Sequence, residues 1–230
     1  MYLLAMPRTA RAIVANYCYH VINRGNQKAT VFHERADFEQ FLGLVARAQQ
    51  RLALPLLAAC LMPNHIHMVV QPQARGDLAK WMHWIFTTHV RWYHAKYATT
   101  GRVWQGRFKA FCAQQDHHLL TVMRYVERNA LRAKLVDRAE DWEWGSLAWR
   151  RASAPPLDLA ASPVSLPSYW RHLVNEPQTA AELAEIRTCV NRQRPFGDAG
   201  WVAAQAADLG LAQSLAPIGR PRKSRRVPVC

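Results

Sequence analysis

The order of strand-like and helix-like hydrophobic patterns along the chain limits its possible folds more than any other feature. Alternating or continuously apolar segments, rich in aromatic and β-branched residues, predict strands at residues 17–23, 54–61, 66–71 and 108–113. Apolar residues spaced three to four apart predict helices at residues 33–51, 77–97 and 117–134. The resulting order, β-α-β-β-α-β-α, predicts an α+β fold: a ferredoxin-like antiparallel sheet with helices packed on one face.

The rest of the chain divides at a proline-rich stretch. Tryptophans close the first unit, which predicts one domain over residues 1–151. Residues 152–167 contain four prolines and predict a linker. Residues 168–215 predict a small helical region, with helices at 178–191 and 198–209. Residues 216–230 form a basic tail that we expect to be disordered.

The charge is unevenly distributed along the chain. With 30 Lys+Arg and 16 Asp+Glu, the formal net charge is +14. Residues 1–135 carry 18 basic and 6 acidic side chains, net +12, whereas residues 136–218 carry 7 and 10, net −3, and residues 219–230 carry five basic ones. A compact basic domain indicates a polyanionic partner, and the nine tryptophans favour nucleic acid with unstacked bases. An arginine excess that only keeps the fold soluble stays open as the alternative.

Several protein classes are disfavoured. The longest apolar run, residues 52–62, is interrupted by Pro55 and is much shorter than a membrane span. The start has no basic residues before its apolar ones and is too brief for a signal peptide; regular patterning begins after Met6, an alternative start. Five cysteines, without a close pair, argue against disulfides and a zinc finger. They favour a reducing cytoplasm.

A histidine pair is the strongest local chemical signal. His65 and His67 lie two residues apart in a predicted strand, so both imidazoles point to one face and could bind one metal ion, while Ile66 points into the core. Taken alone, the pattern fits two unrelated histidines on a half-buried strand equally well.

A second signal lies in the third predicted helix. Tyr125, Asn129 and Arg132 are spaced to share one helix face. A phenol can attack phosphorus, an amide oxygen can complete a metal site, and a guanidinium can hold a phosphate, so this combination suits phosphoryl transfer. Alone, the pattern is better explained by a core tyrosine and a solvated asparagine.

Together, the two signals resemble the layout of HUH nucleases, in which two histidines flank a bulky apolar residue and face a helical tyrosine. The sequence resembles the REP-associated tyrosine transposases, IS200-like relatives of the single-tyrosine transposases of small bacterial insertion sequences. The resemblance rests on four stretches in order: Tyr19–Asn26, Met62–His67, Gly101–Phe108 and Arg124–Asn129. The chain departs from the family at Ala130, where a proline is usual, and at Gly145-Ser146, where a serine pair is usual.

The resemblance implies a concrete activity. A divalent cation, Mg²⁺ or Mn²⁺, would be held by His65, His67 and Asn129, and Tyr125 would attack a DNA phosphate to form a 5′-phosphotyrosine link. The enzyme would cleave and rejoin single-stranded DNA next to palindromic repeat (REP) hairpins. It would be cytoplasmic and nucleoid-associated. Monomer and homodimer both stay open, as does whether the tyrosine acts in cis or in trans.

The same resemblance suggests DNA-binding residues. Stacking and backbone contacts are expected from the stretch around Phe108, contacts to the strand end from the loop around Gly25, and phosphate binding from the third helix. The tail stretch Gly219–Lys223 resembles an AT-hook core, although a polybasic tail that raises non-specific affinity explains it as well. The candidates are Arg24, Asn26, Trp104, Arg107, Lys109, Arg132, Arg220, Arg222 and Lys223.

Two other functions stay open from the sequence. A non-catalytic module could bind DNA or RNA hairpins without metal, and a metal-dependent nuclease could use activated water instead of Tyr125. The other histidines are interpreted as structural or DNA-facing: His83, His89 and His94 on the second helix, and His117 and His118, which open the third helix and are expected to cap it or contact phosphate. Phe196 and Trp201 are expected in the core.

Overall fold

A four-stranded antiparallel sheet organises the residues that the computed structural model describes, 13–216. The strands are β1 (Cys18–Arg24), β2 (Leu56–Met62), β3 (His65–Val70) and β4 (Lys109–Ala113). Their order across the sheet is β2-β3-β1-β4, so β3 and β1 are central. The α+β class and the antiparallel sheet predicted from the sequence are confirmed.

Two long helices cover one face of the sheet, as predicted. They are α1 (Arg35–Arg51) and α2 (Asp77–Tyr97). Their apolar stripes, which include Phe41 and Ile85, pack on alternate side chains of the central strands, such as Val21. The bounds of α2 agree with the predicted helix at residues 77–97, and Gly76, at φ +91°, is its N-terminal cap residue.

The third predicted helix covers the opposite face of the sheet. The sequence analysis predicted helices on one face only, so this placement differs from the prediction. α3 (His117–Glu127) buries Val122 and Val126 against strand residues that point away from α1 and α2, such as Cys60 and Val69. The reason lies in the strands: β2 is buried at every position, and neighbouring side chains point to opposite faces. Both faces of the sheet are therefore apolar, and each needs a cover.

The predicted helix over residues 117–134 is divided at one residue. α3 ends at Glu127, and the short α4 (Asn129–Arg132) follows after Arg128. The backbone hydrogen bonds continue through the junction, since the Arg128 N–H donates to the Arg124 carbonyl and the Arg132 N–H donates to the Arg128 carbonyl. The turns that carry Tyr125 and Arg132 are therefore connected rather than independent.

The proline-rich stretch contains no helix or strand, yet it is packed on the sheet. The Ala160 N–H donates to the Leu56 carbonyl at 2.8 Å, at the edge strand β2. Leu157 is buried in the core beneath α1 and α2. Residues 152–167 therefore follow the surface of the domain, and the division of the chain into domains stays a prediction.

The C-terminal region also contacts the sheet. Its helices are α6 (Trp170–Asn175), α7 (Ala180–Arg192) and α8 (Ala199–Asp208), preceded by the short α5 (Ser146–Trp149). α7 and α8 match the two predicted helices, whereas α5 and α6 were not predicted. Between α7 and α8, the Phe196 N–H donates to the Cys112 carbonyl, and the Phe196 carbonyl accepts from the Gln114 N–H, both at 2.9 Å. The region is thereby attached to the outer edge of β4.

Membrane-spanning helices and disulfide bonds can both be assessed for the described residues. No helix between residues 13 and 216 is long and apolar enough to cross a membrane. The four cysteines within that range, Cys18, Cys60, Cys112 and Cys189, are free and buried.

Candidate active site

His65 and His67 lie on the sheet face that α3 covers. In the antiparallel register, His65 is opposite Arg24 and His67 is opposite Ile22, and directly opposed residues share a face. The two imidazole centroids are 4.9 Å apart, with the rings nearly perpendicular. His67 is only 1% exposed, and His65 is half-buried at the start of the strand. The strand spacing therefore places both rings side by side, as predicted.

Hydrogen bonds to the Nδ1 atoms orient both rings. His65 Nδ1 lies 2.6 Å from Asn64 Oδ1; because that oxygen only accepts, Nδ1 carries the proton. His67 Nδ1 lies 2.8 Å from Nε2 of His20, a fully buried residue of β1. Within the described residues, neither Nε2 atom of the pair has a hydrogen-bond partner. His65 Nε2 therefore presents a lone pair, as metal ligation requires.

Tyr125 stands beside this pair on α3. Its ring centroid lies 5.7 Å from that of His67, edge to face, and its side chain is largely buried. The Arg132 guanidinium carbon lies 4.4 Å from the centroid of the Tyr125 ring. Arg132 Nη2 donates to Asn129 Oδ1 at 2.7 Å. The structure thus brings Tyr125, Asn129 and Arg132 into one contacting group next to the histidines.

Burial and neighbouring cations keep the imidazoles neutral. Burial, then Arg24 and Arg132, lowers the pKa of His65 to about 4. Burial, then the neighbouring histidines and the same two arginines, lowers the pKa of His67 well below its ordinary value. At neutral pH both rings are therefore uncharged, which is the form that binds a metal ion. The positive potential of Arg24 and Arg132 also favours an anion, such as a phosphate, at this site.

The side chains fit a divalent cation. They offer two neutral imidazole nitrogens and the Asn129 amide oxygen, and Mn²⁺ accepts this mixture of ligands, whereas Mg²⁺ prefers oxygen. Asn129 Nδ2 and Arg132 Nη1 are buried and, among residues 13–216, have no hydrogen-bond partner. Both atoms are hydrogen-bond donors, so a bound acceptor such as a phosphate oxygen would complete this corner of the site.

A separate histidine cluster lies at the start of α3. Asp116, His117 and His118 place one potential ligand atom each within 4.8 Å of one another. Asp116 caps the helix, because its Oδ1 accepts from the His118 N–H at 2.8 Å, and the same oxygen lies 2.8 Å from His118 Nδ1. The cap is therefore Asp116, and His117 and His118 lie in the first turn of the helix instead of capping it.

A basic cleft of about 780 Å³ lies at the end of β1, where Arg24 is opposite His65 in the strand register. Its lining includes Arg24, Arg107 and Lys109, three of the predicted DNA-binding residues. Two further contributors were not predicted: Arg102, and Asn191 at the end of α7. The cleft therefore joins the end of β1, the loop before β4 and the C-terminal region, and its cations can follow a phosphate backbone.

Close backbone packing shapes the loop after β1. A Cβ atom at Gly25 would lie 2.1 Å from the Ala29 carbonyl oxygen, so only glycine fits there. Asn26 is half-buried, and its N–H donates to the Val103 carbonyl at 2.8 Å. Asn23 Nδ2 donates to the Gly106 carbonyl at 3.3 Å. These contacts hold the β1 end against the loop that carries Arg107.

Trp104 does not line this cleft, contrary to the expectation that it stacks on bases. It is 5% exposed, and its ring packs against Phe86, Phe41 and His89 in the core beneath α2. Phe108 is likewise buried. An indole enclosed by other aromatic rings presents no face to a nucleobase. Arg220, Arg222 and Lys223 lie outside the described residues.

His20 is the contributor to the site that the sequence interpretation missed. It belongs to a predicted strand that pairs with β3, and its register places it on the face of His67. The other histidines are placed differently: His89 is fully buried among aromatic rings, His83 is exposed, and His94 contacts Thr99. Phe196 is in the core, as expected, and Trp201 is partly buried.

The family model described as "Transposase IS200 like" matches residues 13–129, which span the sheet, the histidine pair, Tyr125 and Asn129. The chain belongs to this family. No curated protein matches this IS200-like transposase.

Among solved structures, the fold matches the REP-associated tyrosine transposase bound to a REP hairpin. The TM-score is 0.50 at 13% identity, over 69% of this chain and 93% of that one. A candidate transposase from Deinococcus radiodurans R1 matches with a TM-score of 0.38 at 14% identity, over 52% of this chain and 95% of that one. The first match supports the fold of this IS200-like transposase. The second is too distant to carry an argument.

Proposed function

We propose that this IS200-like transposase cleaves and rejoins single-stranded DNA beside palindromic hairpins through a covalent bond to Tyr125. The observation that carries the proposal is the contact of Tyr125 with Arg132 on one side and His67 on the other. A nucleophile, a cation and a pair of neutral imidazoles meet on one sheet face, and Arg24, which is opposite His65 in the register, also lines the basic cleft.

Each residue of the site has a role in this reaction. The Tyr125 oxygen forms a bond to phosphorus while the bond from phosphorus to the DNA 3′ oxygen breaks; the phenol proton is lost, and the departing oxygen gains one. The Arg132 cation, 4.4 Å from the ring centroid, stabilises the negative charge that develops on the phenol. Because no water enters the bond, a second 3′-hydroxyl can reverse the step and join DNA.

His65, His67 and Asn129 would hold Mg²⁺ or Mn²⁺. Bound there, the cation would polarise the attacked phosphate as a Lewis acid. The residues themselves supply neutral ligand atoms, and burial keeps them neutral. Arg24, opposite His65 in the register, contributes positive charge on the same face.

The basic cleft would bind the single strand. Arg24, Arg102, Arg107 and Lys109 supply four cations along its wall, and Gln105 adds an amide. The REP hairpin bound by the matched transposase supports a hairpin as the neighbouring element. Tyr125 lies beside the histidine pair of its own chain, which favours attack in cis and a monomer as the active form.

A covalent-adduct assay tests the proposal. The full chain is incubated with Mn²⁺ and a labelled hairpin carrying single-stranded flanks, and the protein–DNA adduct is resolved on a denaturing gel. We expect an adduct with the wild type and with Tyr169→Phe, since Tyr169 is 61% exposed on the C-terminal region, but none with Tyr125→Phe. An adduct formed by Tyr125→Phe would overturn the assignment of the nucleophile.

The same assay separates the two alternatives. Cleaved DNA without any adduct in the wild type would indicate a nuclease that uses water. Hairpin binding that needs neither metal nor Tyr125, with no cleavage, would indicate a binding module.

A further inference from the structure

His20 makes a contact that the proposed reaction does not yet use. It lies on β1, with no exposed surface, and its Nε2 atom is 2.8 Å from His67 Nδ1. Its ring is also 6.0 Å, centroid to centroid, from that of Tyr125 and 5.0 Å from that of Phe111. His20 therefore touches a candidate metal ligand from behind while packing against the nucleophile.

A short contact between two neutral imidazole nitrogens holds one proton. If His67 Nδ1 carries it, His67 Nε2 has a free lone pair and can bind a cation. If His20 Nε2 carries it, His67 Nε2 bears a hydrogen and cannot bind one. The direction of this hydrogen bond thus decides whether His67 is competent as a ligand.

We propose that His20 is a positioning residue that accepts the Nδ1 proton of His67 and so holds the Nε2 lone pair of His67 ready for a divalent cation. This inference rests on the proposed function, since it concerns the same metal site. His20 occupies the place that a carboxylate or a carbonyl usually takes behind a metal-binding histidine.

The neutrality of this acceptor has a consequence for the metal. A carboxylate behind His67 would add negative charge and raise the basicity of the ligand, whereas an imidazole orients the ring without adding charge. Arg24 and Arg132 stand close to the pair, so the site keeps an excess of positive charge. A weakly held, exchangeable cation is the expected result, with the DNA phosphate supplying the missing negative charge.

The second ring nitrogen of His20 opposes this tautomer when no metal ion is bound. His20 Nδ1 is buried and has no hydrogen-bond partner among residues 13–216. If His67 donates to Nε2, the remaining proton of the neutral His20 ring is on this unpartnered Nδ1. A buried donor without a partner is unfavourable, and a cation bound to His67 Nε2 would offset this cost, so metal binding and the direction of the hydrogen bond stabilise each other.

Mn²⁺ affinity of the full chain, measured by electron paramagnetic resonance, tests the role. His20→Phe keeps an aromatic ring but removes the acceptor, and we expect its Mn²⁺ affinity to fall by about 10- to 100-fold. His20→Gln, whose side-chain oxygen can accept the proton, should recover most of the affinity. His89→Phe, a matched change at a buried histidine on the opposite side of the sheet, should bind like the wild type.

Unchanged affinity in His20→Phe would overturn the inference, as would a His20→Gln variant that binds as weakly as His20→Phe. If the wild type and a His65→Ala variant bind Mn²⁺ equally, the metal site of the proposed function fails, and the inference fails with it. Should His20→Phe not fold, long-range ¹H–¹⁵N spectra of the Mg²⁺-loaded wild type decide. The inference requires a proton on His67 Nδ1 and none on His20 Nε2, and the reverse assignment contradicts it.

Discussion

Replacing His89 by phenylalanine should remove part of the acid sensitivity of the fold. His89 lies on α2 with no exposed surface, and neither ring nitrogen has a hydrogen-bond partner within the described part of the chain. Its ring centroid is 5.2 Å from that of Phe41 and 5.8 Å from that of Phe32. The native state therefore holds this imidazole neutral in an aromatic core.

The size of the effect follows from the pKa. Burial lowers the pKa of His89 from 6.5 to about 4, and the negative charge of Asp37 acts in the opposite direction. The unfolded chain therefore binds a proton below pH 6.5 that the folded chain does not, and stability falls as the pH drops from 6.5 towards 4. Between pH 7.5 and pH 4.5 this single group should cost about 2.5 kcal/mol of unfolding free energy.

Urea denaturation at both pH values measures the loss. Because other buried histidines also destabilise the fold in acid, the quantity of interest is the difference between variants. The wild type should lose about 2.5 kcal/mol more than His89→Phe over this interval. His83→Phe, at an exposed position on the same helix, should lose as much as the wild type. Equal losses in the wild type and His89→Phe would refute the reasoning.

Three further changes address the site and its support. Glu127→Gln should lower the free energy of unfolding by roughly 3 kcal/mol in urea titrations, because the buried carboxylate pairs with Arg150 at 2.9 Å and the amide would remove the negative charge that balances this cation. A loss below about 1 kcal/mol would show that the pair is not a structural support. The double change Arg107→Ala and Lys109→Ala should weaken binding of single-stranded DNA and reduce the slope of log affinity against log salt by roughly 1.4. The control Arg47→Ala, on α1, should change neither the affinity nor the slope. An unchanged slope in the double variant would show that the DNA does not bind in the cleft. Arg132→Gln should slow adduct formation by roughly 100-fold in single-turnover assays, and a wild-type rate would exclude charge stabilisation by Arg132.

Local periodicity was sufficient for the order of strands and helices up to α3. It could not show on which face of the sheet α3 packs. Strands that are apolar on both faces lack the apolar–polar alternation that marks one face as buried and the other as exposed. The division after Glu127 also escaped prediction, since the apolar stripe continues through Arg128 into α4.

The histidine pair and the tyrosine helix could be predicted because each is a local pattern. His20 could not be found that way, since its contact with His67 depends on the pairing of β1 with β3 and on the register of that pairing. Arg102 and Asn191 join the cleft for a similar reason: only the folded chain brings the end of α7 to the loop before β4.

Trp104 is the reverse case: it was predicted as a DNA-binding residue, and the structure places it in the core. The stretch that carries Trp104 resembles a segment of a family that acts on single-stranded DNA, and the expectation that Trp104 stacks on bases followed from that resemblance. In the structure, Gly25 and Trp104 form an isolated bridge between the β1 loop and the segment before β4, which turns the indole inwards against Phe86. A matching sequence stretch does not by itself show which of its side chains face the core.

The most direct test of the central claim is mass spectrometry of the protein–DNA adduct after proteolysis. The account predicts a single modified peptide, with the 5′ phosphate of the DNA joined to the Tyr125 oxygen, and an upstream DNA product that ends in a free 3′-hydroxyl. Attachment at another residue, or a 3′-phosphate linkage to the protein, would contradict it.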